Sequence, residues 1–312
     1  GMSGEKIELE VTGPLGETVS CYYGWLEESR TAVMEMASAA GLTLVNEKKP
    51  MMATTYGVGE MILDAAKRGC EKVIIGIGGS ATNDGGIGML QAFGYQFLDK
   101  NRKDVGKGVA ALGKVEMIIA DKVNPLISKI KFQVACDVDN PLYGEKGATY
   151  IFGAQKGVTD EMKPLIDNDM KHFADKTKEK LGVSCEDIPG AGAAGGLGFA
   201  LLSYLNAELT PGAELVMQLT DMEDKINQIL VYTLLAAKNV LTLEDTSLLT
   251  GLSKSHLYKL TCNRQIPHYK PNGKQLYFDR TEIEAWMKQG KVNTIDESEQ
   301  MEVVYLAKAS RK

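Results

Sequence analysis

The chain has 312 residues, of which 44% are hydrophobic and 24% charged, a globular composition rather than a disordered one. No apolar run reaches the roughly 20 residues that a membrane-spanning helix needs, so we expect a cytoplasmic protein. The five cysteines are widely spaced, odd in number and without a CxxC pair, which argues against a disulfide framework and against a metal site.

Charge is spread unevenly along the chain. The net charge of −6 would by itself argue against nucleic acid as a partner. Between residues 238 and 291, however, nine Lys/Arg stand against five Asp/Glu, which gives +4 there and leaves −10 for the rest. This asymmetry predicts two domains with different partners. We place them at 1–226 and 227–295, with a tail at 296–312.

The first domain begins with alternating patterns that predict strands at 7–11 and 18–23. Residues 31–39 read as a strand or a short helix. Apolar spacing then predicts an amphipathic helix at 55–68, and a later helix with a charged, solvated face at about 160–181.

A buried-strand pattern at 73–77 leads into the glycine-rich loop 78–86, which precedes a predicted helix. A strand, a glycine-rich loop and a helix together direct backbone N–H groups at an anion. A tight structural turn explains the same pattern and stays open as an alternative. The candidate ligand residues in this loop are Gly78, Gly79, Ser80, Thr82, Asn83 and Asp84.

A second buried strand, at 132–136, ends in polar residues, where open α/β sheets place their ligands. Asp137 and Asn140 are candidates there, although an Asx-type turn explains them equally well. Gln155 and Lys156 follow as further candidates. A second glycine cluster at 189–198 precedes a buried helix, and close packing explains it without a ligand.

The string IGIGGSATNDGGIGMLQAFG at 75–94 resembles the signature of type I glycerate kinases. The resemblance covers about residues 5–226 and implies ATP- and Mg²⁺-dependent phosphorylation of glycerate in a cleft between two domains. It is carried in order by TTYGVGEMI (54–62), ACDVDNPLYG (135–144), IFGAQKG (151–157), PGAGAAGGLGFAL (189–201) and AELTPGAELV (207–216).

Two segments of that family do not occur in this sequence. One is the opening Rossmann-like strand with Asp-Ser-Phe-Lys-Gly, and the other is the returning Gly-Glu-Gly-Arg loop. We therefore expect the inserted lobe alone, with negligible catalysis and no cofactor in this chain. A small anion at the loop 78–86 remains an expected ligand.

The last part of the chain predicts a helix at 228–238 and then two short helices across Gly251, which is a helix-turn-helix. Thr242 and Ser253 are the expected N-caps. The expected core of this module is Leu248, Leu249, Leu252, Leu257 and Leu260.

Basic and hydroxyl side chains mark the second of these helices as a candidate DNA contact. A hairpin at 266–278, with an Asn-Gly turn, predicts a wing against the DNA backbone. A capping box at Thr281 and the apolar residues Ile283, Trp286 and Met287 predict a closing helix. The candidates for DNA binding are Lys254, Ser255, His256, Tyr258, Lys259, Arg264, Lys270 and Lys274.

Residues 241–287 resemble the excisionase-like helix-turn-helix family, and this implies duplex DNA as a partner. Use of the module for packing or protein contact is the alternative. The sequence thus predicts a glycine-rich α/β lobe with a mainly parallel sheet, followed by a small winged helix-turn-helix domain. Three kinds of protein are consistent with this sequence: a DNA-binding regulator, a kinase-derived ligand binder and an artificial fusion. The missing kinase segments and the residue before Met2 favour the fusion.

Overall fold

The computed structural model describes residues 4–215, 238–271 and 273–289. The chain divides into two compact units, 1–223 and 224–312. None of the described helices is long and apolar enough to cross a membrane.

The helix expected at 228–238 (apart from Lys238), Asn272 of the hairpin turn and the tail beyond residue 289 all lie outside the described residues.

The large unit is built on a six-stranded sheet with the order β1-β2-β3-β4-β7-β8. Strands β5 and β6 pair with each other in a separate antiparallel ribbon. The strands are β1 Gly4–Thr12, β2 Thr18–Leu26, β3 Thr31–Glu35, β4 Lys72–Gly76, β5 Gln96–Leu98, β6 Met117–Ile119, β7 Lys131–Ala135 and β8 Glu208–Thr210.

The four strands from β3 to β8 in the six-stranded sheet are parallel, whereas β1 and β2 add antiparallel pairs at one edge. One row of the register runs through Met34, Ile75, Val134 and Leu209, of which the first three are buried. Buried runs on parallel strands are typical of sheets covered on both faces. The predicted α/β lobe with a mainly parallel sheet is confirmed.

Helices connect these strands and cover the sheet. Helix α6 begins at Lys163 with a proline in its first turn, slightly later than the predicted start at 160. The helices are α1 Ala37–Ala40, α2 Tyr56–Lys67, α3 Ile87–Phe93, α4 Val109–Leu112, α5 Ala148–Phe152, α6 Lys163–Leu181 and α7 Ala193–Leu205.

The two glycine-rich segments pack against each other. The Gly85 N–H donates to the Gly195 carbonyl at 2.9 Å. A Cβ on Gly195 would lie 2.1 Å from the backbone oxygen of Thr82, and one on Gly196 would lie 2.7 Å from Gly85 Cα. Residues 194–196 have left-handed backbone, so the regular part of α7 begins after them. Glycine in the second cluster therefore serves close backbone packing.

The small unit is a helix-turn-helix with a two-stranded sheet. The expected N-cap Thr242 is confirmed and forms a capping box, because Thr242 and Asp245 exchange hydrogen bonds of 3.2 and 3.0 Å. Its elements are β9 Val240–Thr242, α8 Leu243–Thr250, α9 Lys254–Cys262, β10 Tyr277–Asp279 and α10 Arg280–Met287.

The prediction that Leu248 belongs to the core of the small unit is wrong, since this residue is 50% exposed. Met287 of the expected closing helix is also exposed, at 48%. Both lie on outward faces of short helices, and the two strands supply the missing apolar surface instead. The buried core consists of Leu241, Leu243, Leu257, Ile266, Leu276, Phe278 and Ile283.

The predicted hairpin and the predicted cap of the closing helix also differ from the structure. Strand β10 pairs with β9, and only Tyr269 of the predicted strand 266–270 bridges to β10. Asp279, not Thr281, caps α10 by accepting from the Glu282 N–H at 3.1 Å. The long-range pairing with β9 places Asp279 at the strand end, where the helix starts.

We expect Gly195→Ala to destabilise the large unit far more than Gly182→Ala. Both glycines have nearly the same φ, +70° and +71°, but only Gly195 lacks space for a Cβ. The shared left-handed backbone costs about 1 kcal/mol with alanine, and the clash at Gly195 adds about 2 kcal/mol. Urea unfolding followed by Trp25 fluorescence in a Trp286→Phe background measures both. Equal midpoints for the two variants would contradict the packing argument.

Candidate functional site

A pocket of about 220 Å³ opens at the carboxyl ends of β4 and β7, and we name it the strand-end pocket. Ligands of open α/β sheets bind at such strand ends. Six of the ten predicted ligand residues line it: Gly78, Gly79, Ser80, Asp137, Gln155 and Lys156.

The glycine-rich loop forms one wall of this pocket. A Cβ on Gly78 would meet no atom within 4 Å, so the backbone there faces open space. The Ser80 hydroxyl accepts from the Thr82 N–H at 3.1 Å and lies 2.9 Å from Thr82 Oγ1, which closes the turn. Near Gly78 the wall therefore consists of exposed backbone, and the hydrogen bonds of Ser80 stabilise the turn that follows it.

Three predicted loop residues point inwards, because Thr82, Asn83 and Asp84 are fully buried. The Asp84 carboxylate accepts from the Thr55 N–H at 2.8 Å and its hydroxyl at 3.0 Å. It also accepts from the N–H groups of Gly86 and Gly88. Burial raises the pKa of Asp84, and these hydrogen bonds oppose the rise. Asp84 thus joins α2 to the start of α3 and does not line the pocket.

The two predicted asparagines also tie loops together. Asn83 donates from Nδ2 to Thr149 Oγ1 at 3.1 Å, and its Oδ1 has no partner among the described residues. Asn140 donates from Nδ2 to the Lys146 carbonyl at 2.8 Å. Neither side chain lines the strand-end pocket.

Lys156 is a buried cation on the wall of the pocket, with only 3% of its surface exposed. Its Nζ donates to the Thr82 carbonyl oxygen at 2.6 Å. Burial lowers the pKa of Lys156 to about 7, and the charge of Asp84 acts in the opposite direction. A lysine of this kind changes its charge close to neutral pH.

The opposite wall follows β7. The exposed Asp137 accepts the Gly212 N–H at 2.8 Å through Oδ1. The Cys136 thiol donates to the Val138 carbonyl at 3.3 Å, and burial raises its pKa. Sequence reasoning did not single out Cys136 or Phe152, which also line the pocket. Their positions at the end of β7 and within the motif 151–157 were the available signals.

The described residues contain no group of three or more His, Cys, Asp or Glu side chains placed to hold a metal ion. Asp137 is the carboxylate among the residues that line the strand-end pocket.

In the small unit, helix α9 presents one face outwards. Ser255, Tyr258, Lys259 and Cys262 follow helical spacing and are exposed, whereas Leu257 is buried against the core. Ser253 caps the helix by accepting from the His256 N–H at 3.3 Å, as predicted. The cap fixes where the exposed face begins.

The exposed cations among the predicted DNA-binding residues differ in whether they form an ion pair. Lys254 pairs with Glu244 at 2.8 Å, and both side chains are more than half exposed. Within the described part of the chain, the following cations form no ion pair: Lys259, Arg264, Lys270 and Lys274. These four exposed cations therefore carry positive charge that no described acidic side chain pairs with.

Each unit of the chain matches a known protein family. Residues 1–233 match the glycerate kinase family, and residues 240–291 match a helix-turn-helix domain. The chain is 48% identical to glycerate kinases of Halalkalibacterium halodurans and Bacillus subtilis. The first match covers 72% of this chain and 60% of the relative, the second 71% and 58%.

Escherichia coli glycerate 2-kinase is 46% identical, over 72% of this chain and 59% of its own length. A crystal structure from Salmonella typhimurium LT2 that carries the name glycerate kinase 2 aligns with a TM-score of 0.68 at 39% identity. That alignment covers 76% of this chain and 62% of the other. The chain thus spans about 60% of the length of its curated relatives. It belongs to the glycerate kinase family and carries a helix-turn-helix domain after the family region.

Proposed function

We propose that this chain is a duplex-DNA-binding protein whose large unit keeps the ligand pocket of a glycerate kinase. The exposed face of α9, with the unpaired Lys259 on it and Arg264 just after the helix, is the observation that carries the DNA-binding part. The arrangement is that of a fusion, with the DNA contact in the small unit and the small-molecule contact in the large one.

The geometry of α9 supports insertion into the major groove. A capped helix that exposes hydroxyl, aromatic and basic side chains suits contact with base edges and phosphates. Arg264, Lys270 and Lys274 follow the helix in the chain and are exposed, which suits contacts with the DNA backbone. The pair between Lys254 and Glu244 is exposed, so exchanging Glu244 for a phosphate costs little.

We expect the double substitution Lys254→Ala and Lys259→Ala to weaken binding to all duplex sequences alike. Each lost phosphate contact lowers the slope of log K against log salt by about 1. A mobility-shift titration at several salt concentrations measures both effects.

The matched control is Lys100→Ala with Lys129→Ala, two exposed lysines of the large unit. It should leave affinity and salt slope unchanged. Absent or salt-independent DNA binding by the unchanged protein would contradict the proposal and favour a protein-contact role for the module.

For the large unit we propose ligand binding without turnover by this 312-residue chain. Phosphoryl transfer depends on groups that face each other across the reacting atoms and stabilise charge. The strand-end pocket supplies one such surface, and the chain spans about 60% of its kinase relatives.

The pocket's residues fit an anionic ligand. Mg²⁺ in phosphate sites is usually held by one or two carboxylates together with the phosphates themselves, so Asp137 is the residue that would hold it. Lys156 and the bare backbone at Gly78 would face the anionic groups. ATP and Mg²⁺, when bound, would supply the phosphoryl group and neutralise its charge.

We expect no phosphorylation of D-glycerate above background when this chain is supplied with Mg-ATP. A coupled assay of ADP release tests this, with the glycerate kinase of Bacillus subtilis as the positive control. Turnover comparable with that control would refute the proposal. It would establish the alternative, an active glycerate kinase with the helix-turn-helix as an accessory module.

A further inference from the structure

We propose that Lys156 holds the anionic group of the ligand in the strand-end pocket and takes up a proton when that group binds. This inference rests on the ligand binding proposed above and adds how the site responds to pH. The chemical class of ligand is a small carboxylate or phosphate monoester, which an ammonium group recognises.

Lys156 Nζ makes fewer hydrogen bonds than its N–H donors allow. An ammonium group has three N–H donors, and in the described structure Nζ makes one hydrogen bond, to Thr82. The side chain is 97% inaccessible to solvent yet forms part of the pocket wall. Burial disfavours the charged form, and no carboxylate among the described residues contacts Nζ to offset this cost. An anion in the pocket would supply both the missing acceptors and the countercharge.

No ionised group among the described residues pairs directly with Lys156. The Asp84 carboxylate lies behind the loop, and its oxygens accept from Thr55, Gly86 and Gly88. Across the pocket, burial raises the pKa of the Cys136 thiol, and Asp137 accepts the Gly212 N–H.

One more charged residue, Lys48, packs near Gly157, the residue that follows Lys156 in the chain. The Cβ of Lys48 lies 2.7 Å from the position of a Cβ on Gly157, and Lys48 itself is exposed. The charges around Lys156 therefore come from the acids Asp84 and Asp137 and from Lys48, and none of them replaces an anion at Nζ.

The direction of the pH response follows from burial. The pKa of free Lys156 is lowered to about 7, so above that pH the side chain is a neutral amine. An anion binds the ammonium form and raises its pKa in the complex. Binding above about pH 7 therefore draws one proton from solvent onto Nζ, and affinity falls as pH rises. Below about pH 6 the lysine is already charged, and affinity becomes independent of pH.

The test is calorimetric titration of the whole chain with D-glycerate, whose carboxylate stays ionised across the range. We expect binding about 30-fold weaker at about pH 8.5 than at about pH 6, because the competent protonated fraction falls by that factor. Paired buffers of different ionisation enthalpy should show proton uptake that rises towards one per ligand. Sulfate serves as a second probe and separates recognition of a bare anion from recognition of a carboxylate.

Lys156→Met should abolish the pH dependence and weaken binding at least tenfold at about pH 6, because it removes the amine that binds the anion. Methionine has a similar length and is apolar, so it should fill the same buried space. Lys67→Met, at an exposed lysine outside the pocket, is the matched control and should bind like the unchanged protein. Carbon-13 NMR of the lysine side chains gives a reading that needs no variant. One lysine should titrate near neutral pH, and D-glycerate should move that titration upwards.

The outcomes separate the two proposals. A dissociation constant that is independent of pH, without proton uptake, overturns the role of Lys156 and leaves ligand binding in the pocket standing. Absence of binding by D-glycerate and by sulfate at about pH 6 overturns both.

Discussion

The large unit depends on the contact between its two glycine-rich segments. Gly195 lies directly against the Thr82 backbone, and a side chain at that position would separate the loops. The Thr82 carbonyl oxygen in turn accepts a hydrogen bond from Lys156 Nζ. One close backbone approach thus sets the loop that forms the pocket wall and the acceptor that orients the buried lysine. Residues more than 100 positions apart in the chain meet at this point.

The polar residues around this contact serve two purposes. Asp84 is buried with four donors on its oxygens, so it joins segments rather than meeting a ligand. Lys156 is buried with one acceptor and lines the pocket, so its other N–H donors have no partner among the described residues. The number of hydrogen bonds that each group makes, rather than its residue type, distinguishes the structural carboxylate of Asp84 from the lysine that we propose as the ligand contact.

The small unit is organised by its own core. Leu257 of α9 packs with Phe278 and Ile283, and caps at Thr242, Ser253 and Asp279 satisfy the starts of its helices. Short helices gain little stability from propensity alone, so this core and these caps hold the exposed face of α9 in place. The surface that we propose for DNA contact is therefore positioned by the core and the caps of the small unit itself.

The sequence alone determined the family motifs, the strands before both candidate loops, and the caps of α8 and α9, because these are local patterns of a few residues. It also marked six residues that line the pocket. Sequence could not determine that Asp84 turns inwards or that Leu248 is exposed. A loop has no fixed side-chain period, and a two-turn helix defines its buried face poorly. Only tertiary structure decided that Lys156 is buried beside Thr82, since burial arises when distant segments pack and exclude water.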